Sequence, residues 1–121
     1  IQYSSRVRTL VDAVYDWSRF DSLPRAYRWI LSDLRTGKVT ANDLIQTALI
    51  FGDVGTRRRI GYLLDRQGIG DKLLSRLERS IRMTQATIAW NPRKPKKGRL
   101  VRRWCIIDNV EPGERGDTNA A

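Results

Sequence analysis

The sequence predicts an α+β fold in which about five helices are followed by a C-terminal β-hairpin packed on them. Two observations support this prediction. Apolar residues recur three and four positions apart as far as about residue 81, and from residue 86 onward they alternate with a period of two. Because an isolated two-stranded hairpin is marginal in water, we expect strands from upstream of Ile1 to complete the sheet.

The first helix is predicted from a serine cap and an apolar face. The oxygen of Ser4 or Ser5 can accept a hydrogen bond from an otherwise unpaired N–H, and apolar residues then follow at helical spacing to about Asp16. Residues 17–22 have the composition of a turn. A second helix is therefore expected after residue 22.

Turn and capping residues predict the bounds of the second and third helices. Proline is tolerated in the first turn of a helix, so Pro24 predicts the start of the second helix and Gly37 predicts its end. Thr40 followed by Asp43 resembles a capping box, which would begin the third helix. Gly52 is expected to end it.

Aspartate and glycine residues predict the last two helices. Asp53 is expected to cap the fourth helix and Asp71 the fifth, because aspartate is among the best N-cap residues. Gly61 interrupts the bulky residues of the fourth helix. A glycine at that point would permit close packing against a neighbouring element.

Residues 86–90 and 100–107 are predicted to be the two strands of the hairpin. Both are short aromatic or β-branched runs, and a loop containing proline and glycine separates them. Cys105 is expected inside the second strand as a small buried hydrophobe. The helices and the hairpin are expected to form one domain over residues 1–109, followed by a mobile acidic tail at residues 110–121.

The composition argues against metal and redox chemistry. The 121 residues include one cysteine and no histidine, so one chain can form neither a disulfide nor a Cys/His zinc site. We expect no cofactor. We also expect no enzymatic activity, because the chain lacks histidine, the commonest acid–base residue of enzymes. No apolar run approaches the ~18 residues of a membrane span, and no signal region opens the chain, which predicts a cytoplasmic protein without a membrane partner.

Positive charge is concentrated in one region of the chain. The net charge is +10, yet residues 57–103 hold 15 lysine and arginine residues against Asp65, Asp71 and Glu78, a local net charge of +12. A field of this size attracts phosphates, and nucleic acid is the commonest partner that has them in series. The candidate nucleic-acid-binding residues are Arg57, Arg58, Lys72, Arg76, Arg79, Arg93, Lys94, Lys96, Lys97, Arg99, Arg102 and Arg103.

Residues 91–99, which we call the cationic loop, are the densest part of this region. Five cations lie on these nine residues, and the prolines stiffen the backbone, so we expect an arm that suits phosphate contacts. A solvated loop that only aids solubility is the alternative.

Two other groups of cations have a structural alternative. Lys72, Arg76 and Arg79 would form a basic stripe on the fifth helix, which suits a phosphate backbone and an ordinary amphipathic exterior equally well. Residues 57–59 are three consecutive arginines that point around more than half of their helix. At least one of them is expected to pack its stem over the core.

Three segments together resemble the AbiEi antitoxin family of bacterial type IV toxin–antitoxin systems. They are Arg8-Thr9-Leu10-Val11-Asp12-Ala13, then Arg58-Arg59-Ile60-Gly61-Tyr62-Leu63-Leu64, then the proline-rich segment that closes at Arg103-Trp104. The resemblance is to the C-terminal domain of these transcription-regulating antitoxins. It spans about residues 8–109, and Arg58, Arg59 and residues 92–103 match family positions.

The resemblance implies a mixed helical and β domain that follows an N-terminal winged helix-turn-helix. It also implies that this domain supplies antitoxicity and assists DNA binding through a basic face. The cognate toxin is expected to be a nucleotidyltransferase-like enzyme that acts without forming a stable complex with the antitoxin. The winged domain has no counterpart in this sequence.

Three functional hypotheses follow. The leading one is a non-enzymatic antitoxin and transcriptional-regulator domain that contacts DNA phosphates. The second is a protein–protein interaction domain for a toxin or a partner subunit, which exposure of Trp17, Phe20 or Tyr62 would favour. The third is a metal-dependent nuclease using Asp12 and Asp16, which share a helical face but for which a surface role is expected.

Overall fold

The computed structural model describes residues 5–81 and 86–109, and the predicted tail at residues 110–121 lies outside them. In this part of the chain, six helices precede a small three-stranded sheet, so the predicted α+β class is confirmed. The helices are α1 (Ser5–Tyr15), α2 (Trp17–Phe20), α3 (Arg25–Arg35), α4 (Ala41–Phe51), α5 (Val54–Arg66) and α6 (Asp71–Ser80). The strands are β1 (Ile88–Ala89), β2 (Arg99–Val101) and β3 (Ile106–Asp108).

The predicted caps of two helices are confirmed. Thr40 Oγ1 accepts a hydrogen bond from the N–H of Asp43 at 3.1 Å at the start of α4. Asp53 Oδ1 accepts from the N–H of Thr56 at 2.8 Å at the start of α5. These bonds satisfy N–H groups that have no partner within a helix.

Two local predictions about the helices are wrong. Residues 17–22 are not only a turn, because they include the short helix α2. Asp71 does not cap α6: the cap residue is Gly70, and Asp71 is the first helical residue. Asp71 lies in the first turn, where a negative charge complements the helix dipole, and its carboxylate lies 3.1 Å from the guanidinium of Arg103.

The apolar faces of the helices meet in one core. Helix α5 packs on α1, α4 and α6, and α1 also packs on α3 and α4. Fully buried residues from these helices include Val11, Tyr27, Ile30, Leu44, Ile45, Ile60, Leu64, Leu74 and Leu77. Burying one such leucine or isoleucine side chain contributes about 2 kcal/mol.

Gly61 permits close packing, as the sequence predicted. A Cβ atom at this position would overlap the ring of Trp104, and even Cε3 of that ring would be only 2.7 Å away. Trp104 is fully buried, and its indole N–H donates to Asp65 Oδ2 at 3.0 Å. The missing side chain therefore lets the segment between β2 and β3 lie directly against α5.

The sheet differs from the predicted hairpin. Strand β3 is central: it pairs parallel with β1, with Ile88 opposite Ile106, and antiparallel with β2, with Val101 opposite Ile106. The hairpin thus consists of β2 and β3, and the third strand comes from within the chain. A contribution from strands upstream of Ile1 stays a prediction.

The predicted continuous strand at residues 100–107 is interrupted by a tight turn over residues 102–105. Cys105 lies in this turn with a positive φ of 52° and is half-buried, so its predicted place inside a buried strand is wrong. Trp104 is buried against α5 while Arg103 faces carboxylates. The sequence pattern, in which apolar residues alternate with a period of two, does not show that the strand is interrupted here.

Within residues 5–81 and 86–109, no helix has both the length and the apolar character that crossing a membrane requires.

Candidate nucleic-acid interface

The pairing of Tyr27 with Trp90 joins α3 to the cationic loop. The two rings are stacked, with centroids 3.7 Å apart and planes 4° from parallel, and the Tyr27 hydroxyl donates to the Trp90 carbonyl at 2.8 Å. Burial raises the pKa of Tyr27 strongly, so the hydroxyl stays protonated and remains a donor. This contact holds α3 next to the start of the loop, where Arg25 and Arg28 line a cleft together with residues 91–94.

The backbone of the cationic loop is held by Asn91 and Asn109. The amide of Asn109 donates to the carbonyls of Asn91 at 2.9 Å and Pro95 at 2.8 Å, and its oxygen accepts from the N–H of Asn91 at 2.8 Å. Asn91 Oδ1 accepts from the N–H of Arg93 at 3.0 Å. The loop is therefore fixed to the end of β3, and the expectation of a projecting arm is wrong for its backbone.

Gly98 closes the loop next to β3. Its φ is +156°, and a Cβ atom at this position would overlap the carbonyl oxygen of Asp108. Only glycine combines this backbone conformation with so close an approach. The loop thus returns to the sheet without a side chain at its last turn.

A cleft of about 350 Å³ lies between the start of α3 and the cationic loop. We call it the basic cleft, and it is lined by Pro24, Arg25, Arg28, Asn91, Arg93 and Lys94. All four of its cations are exposed. Among the residues that the structure describes, an ion pair at this cleft joins Asp21 Oδ1 to Arg93 Nε at 3.4 Å, and both side chains are more than half exposed. Four exposed cations outweigh this carboxylate, which makes the cleft suitable for an anion.

Arg25 and Arg28 were not among the residues predicted from the sequence. They precede the region of high charge density, in a part of the chain with nearly balanced charge. Their position on the polar face of α3 was a usable signal. What the sequence does not show is that Tyr27, between them, brings that face to the cationic loop.

Arg58 is a buried structural residue, so its prediction as a phosphate contact is wrong. It is 3% exposed. Its guanidinium donates to the carbonyls of Trp104 at 2.9 Å, Ala86 at 2.6 Å and Cys105. Burial lowers the pKa of Arg58, and the positive charge of the nearby Arg59 lowers it further. Arg59 is also buried and donates to the Ala89 carbonyl at 3.0 Å, so the prediction that an arginine of this group covers the core is confirmed.

Arg57 and Arg103 are also bound to groups of the chain itself. These contacts do not support their predicted role as phosphate contacts. Arg57 donates to the Leu49 carbonyl at 2.8 Å, near the C-terminus of α4. Arg103 contacts Glu78 at 2.9 Å, and it lies 3.1 Å from Asp71 and 3.4 Å from Asp65. These are all three acidic residues of the basic region. Although burial opposes it, these carboxylates raise the pKa of Arg103.

The other predicted cations are exposed or half-buried. Lys72 and Arg79 are exposed on α6, which packs on α4 and α5, and Arg76 there is half-buried near Asn42. Arg99 donates to the Tyr62 hydroxyl at 3.1 Å, and Lys96 donates to the Thr87 carbonyl at 3.0 Å. Lys97 and Arg102 are exposed.

An apolar groove also borders α3. It has a volume of about 380 Å³ and is lined by Thr9, Asp12, Ala13, Phe20, Ser22 and Trp29. Phe20 is 52% exposed and Trp29 is 44% exposed. Of the three aromatic residues predicted as a protein-binding surface, only Phe20 is exposed, because Trp17 packs on the core and Tyr62 is buried.

Asp12 forms an ion pair on the surface of α1. Its carboxylate lies 3.2 Å from Arg8 Nε. In the two described stretches of the chain, no three cysteine or acidic side chains are close enough to share a metal ion. Asp12 is thus engaged with a cation on its own helix.

Comparison of the chain with known protein families, with curated proteins and with solved structures finds no match.

Proposed function

We propose that the chain is a non-enzymatic antitoxin and transcriptional-regulator domain of the AbiEi type, acting in the bacterial cytoplasm. In this proposal it contacts DNA phosphates through the basic cleft and the cationic loop, without reading base edges. It neutralises a nucleotidyltransferase-like toxin without a stable complex, and an N-terminal winged helix-turn-helix supplies operator specificity. The three sequence segments support the antitoxin part of the proposal.

One observation carries the DNA-binding part: exposed cations from two distant segments line one cleft. Arg25 and Arg28 come from α3, while Arg93 and Lys94 come from the cationic loop. The loop backbone is already fixed by Asn91 and Asn109. Binding therefore does not have to order this backbone, which lowers the entropic cost of a phosphate contact.

Binding to duplex DNA across a salt series tests this proposal. We expect a Kd of about 10⁻⁴ to 10⁻⁶ M near physiological salt, weakening steeply as salt rises. The variant carrying Lys94→Ala, Lys96→Ala and Lys97→Ala should reduce the slope of log K against log salt by up to about 0.9 per lost contact. Its thermal stability should change little, because all three side chains are exposed.

A control variant removes exposed cations from α6 instead of the cationic loop. It carries Lys72→Ala and Arg79→Ala, two substitutions against three in the loop variant. Per cation removed, it should change the salt slope less than the loop variant does. Wild-type binding that does not depend on salt would refute the proposal, and equal changes in slope per cation removed would refute the assignment to the loop.

The second candidate function is a protein–protein interaction domain without nucleic acid. The apolar groove favours it, because Phe20 and Trp29 leave large apolar surfaces in water. Co-purification of the chain with its toxin or a partner subunit at high salt would support this function. Dissociation at high salt together with salt-dependent DNA binding would favour the first.

A further inference from the structure

The basic cleft and the apolar groove share a wall on α3. Arg25 lines the cleft and Trp29 lines the groove, one helical turn further along. The guanidinium of Arg25 donates to the carbonyl of Asp21, and its central carbon lies 5.9 Å from the centre of the Trp29 ring, within the range of a cation–π contact. The two sites are therefore in direct contact along α3.

The two sites prefer opposite kinds of chemistry. The cleft presents four cations, whereas the groove presents two aromatic rings and the carboxylate of Asp12. A phosphate is attracted to the cleft. An uncharged, flat, apolar group is suited to the exposed face of Trp29.

We propose that the two sites together bind single-stranded nucleic acid, with a phosphate in the basic cleft and an unpaired base stacked on Trp29. This inference rests on the nucleic-acid binding proposed above and specifies its substrate. Phosphates and bases alternate along one strand, so a strand that crosses the shared wall can present one group to each site. In a duplex each base is stacked on its neighbours and paired, so a duplex uses the cleft alone.

The test compares a single strand and a duplex at one low salt concentration. Fluorescence anisotropy measures the affinity of the chain for labelled oligo(dT) of about 12 nucleotides and for a duplex of the same length. Trp29→Leu should weaken binding of the single strand by roughly 5-fold or more and leave duplex binding unchanged, because stacking on an aromatic ring is lost. Tyr15→Leu is the matched control, since Tyr15 is 45% exposed but does not line the groove.

Tryptophan fluorescence gives a second readout at the same site. Trp90 and Trp104 are fully buried and Trp17 is half-buried, so Trp29 is the most exposed tryptophan. Oligo(dT) should quench the emission of the wild type, and this quenching should disappear in Trp29→Leu. Trp29→Phe keeps a stacking face and should retain most of the affinity, which separates loss of stacking from loss of folding.

The outcomes distinguish this inference from the proposed function. If Trp29→Leu and Tyr15→Leu bind the single strand equally well, and both nucleic acids still bind in a salt-dependent way, the stacking site is refuted and the proposed function stands. If neither nucleic acid binds, both proposals fail. Selective loss of single-strand affinity in Trp29→Leu, retained in Trp29→Phe, supports the inference.

Discussion

The arginines beside α5 and the cations of the basic cleft have the same charge but opposite environments. Arg58 and Arg103 are surrounded by carbonyls and carboxylates of the chain itself. Arg28 and Arg93 line the exposed basic cleft, where Arg93 lies 3.4 Å from the exposed carboxylate of Asp21. Arg58, Arg93 and Arg103 all belong to the same basic region of the sequence, so the contacts made in the fold decide which of its cations can meet a phosphate.

The largest expected effect concerns Arg58. Arg58→Ala leaves three carbonyls without their donor and should lower the free energy of unfolding by about 3 kcal/mol. Urea unfolding followed by circular dichroism measures this change. Arg28→Gln serves as the control from the cleft, and its exposed side chain should alter stability by less than about 0.5 kcal/mol. Equal losses in the two variants would abolish the distinction between the groups.

Gly61→Ala tests how the partners of Arg58 are held in place. The new methyl group would overlap the ring of Trp104, whose carbonyl accepts from Arg58, so stability should fall by about 2 kcal/mol. Thermal or urea unfolding gives the value. The sign is informative, because alanine in a helix without this contact would stabilise the chain by up to about 1 kcal/mol.

Asn109→Ala tests whether the fixed backbone of the cationic loop matters for binding. Three carbonyls and one N–H of the loop lose a partner, so stability should fall by about 1 kcal/mol. Affinity for nucleic acid should fall several-fold while the salt slope is kept, because no charge is removed. Lys97→Ala should show the reverse pattern, with a smaller slope and unchanged stability. A normal affinity for Asn109→Ala would mean that the loop needs no support.

The smallest effect concerns Asp33. Its carboxylate is paired with Arg6, just as Arg103 is paired with carboxylates. The hydrogen bond from Arg6 lowers the pKa of this buried carboxyl group below its ordinary value. An aspartate in the unfolded chain has a pKa of about 3.9. The stabilisation is therefore present above that pH and is lost as the pH falls through the lower pKa of the folded state. Asp33→Asn should reduce stability at neutral pH and flatten its acid dependence. Parallel curves for the two proteins between neutral and acid pH would contradict this.

Local signals in the sequence predicted the helices well. Thr40 and Asp53 cap the helices they were expected to cap, because a capping bond depends on residues three positions apart. The predicted role of Gly61 also held, since its small size matters whichever neighbour approaches. These predictions required no knowledge of distant contacts.

Distant contacts account for what the sequence did not predict. The parallel pairing of β1 with β3 joins residues 18 positions apart, and the turn over residues 102–105 carries Trp104 onto α5. The basic cleft depends on Tyr27 stacking on Trp90, which is 63 residues away along the chain. Arginines that donate to backbone carbonyls, as Arg58 does, look the same in sequence as arginines that face solvent.

The central position of β3 sets the order in which a growing chain can complete this fold. Strands β1 and β2 both pair with β3, and Asn109, which holds the cationic loop, follows it directly. Because synthesis proceeds from the N-terminus, the helices can assemble on the ribosome while both outer strands still wait for their partner. The loop acquires its fixed shape only once residue 109 has emerged, so a nascent or prematurely terminated chain would carry the cations without the geometry that presents them.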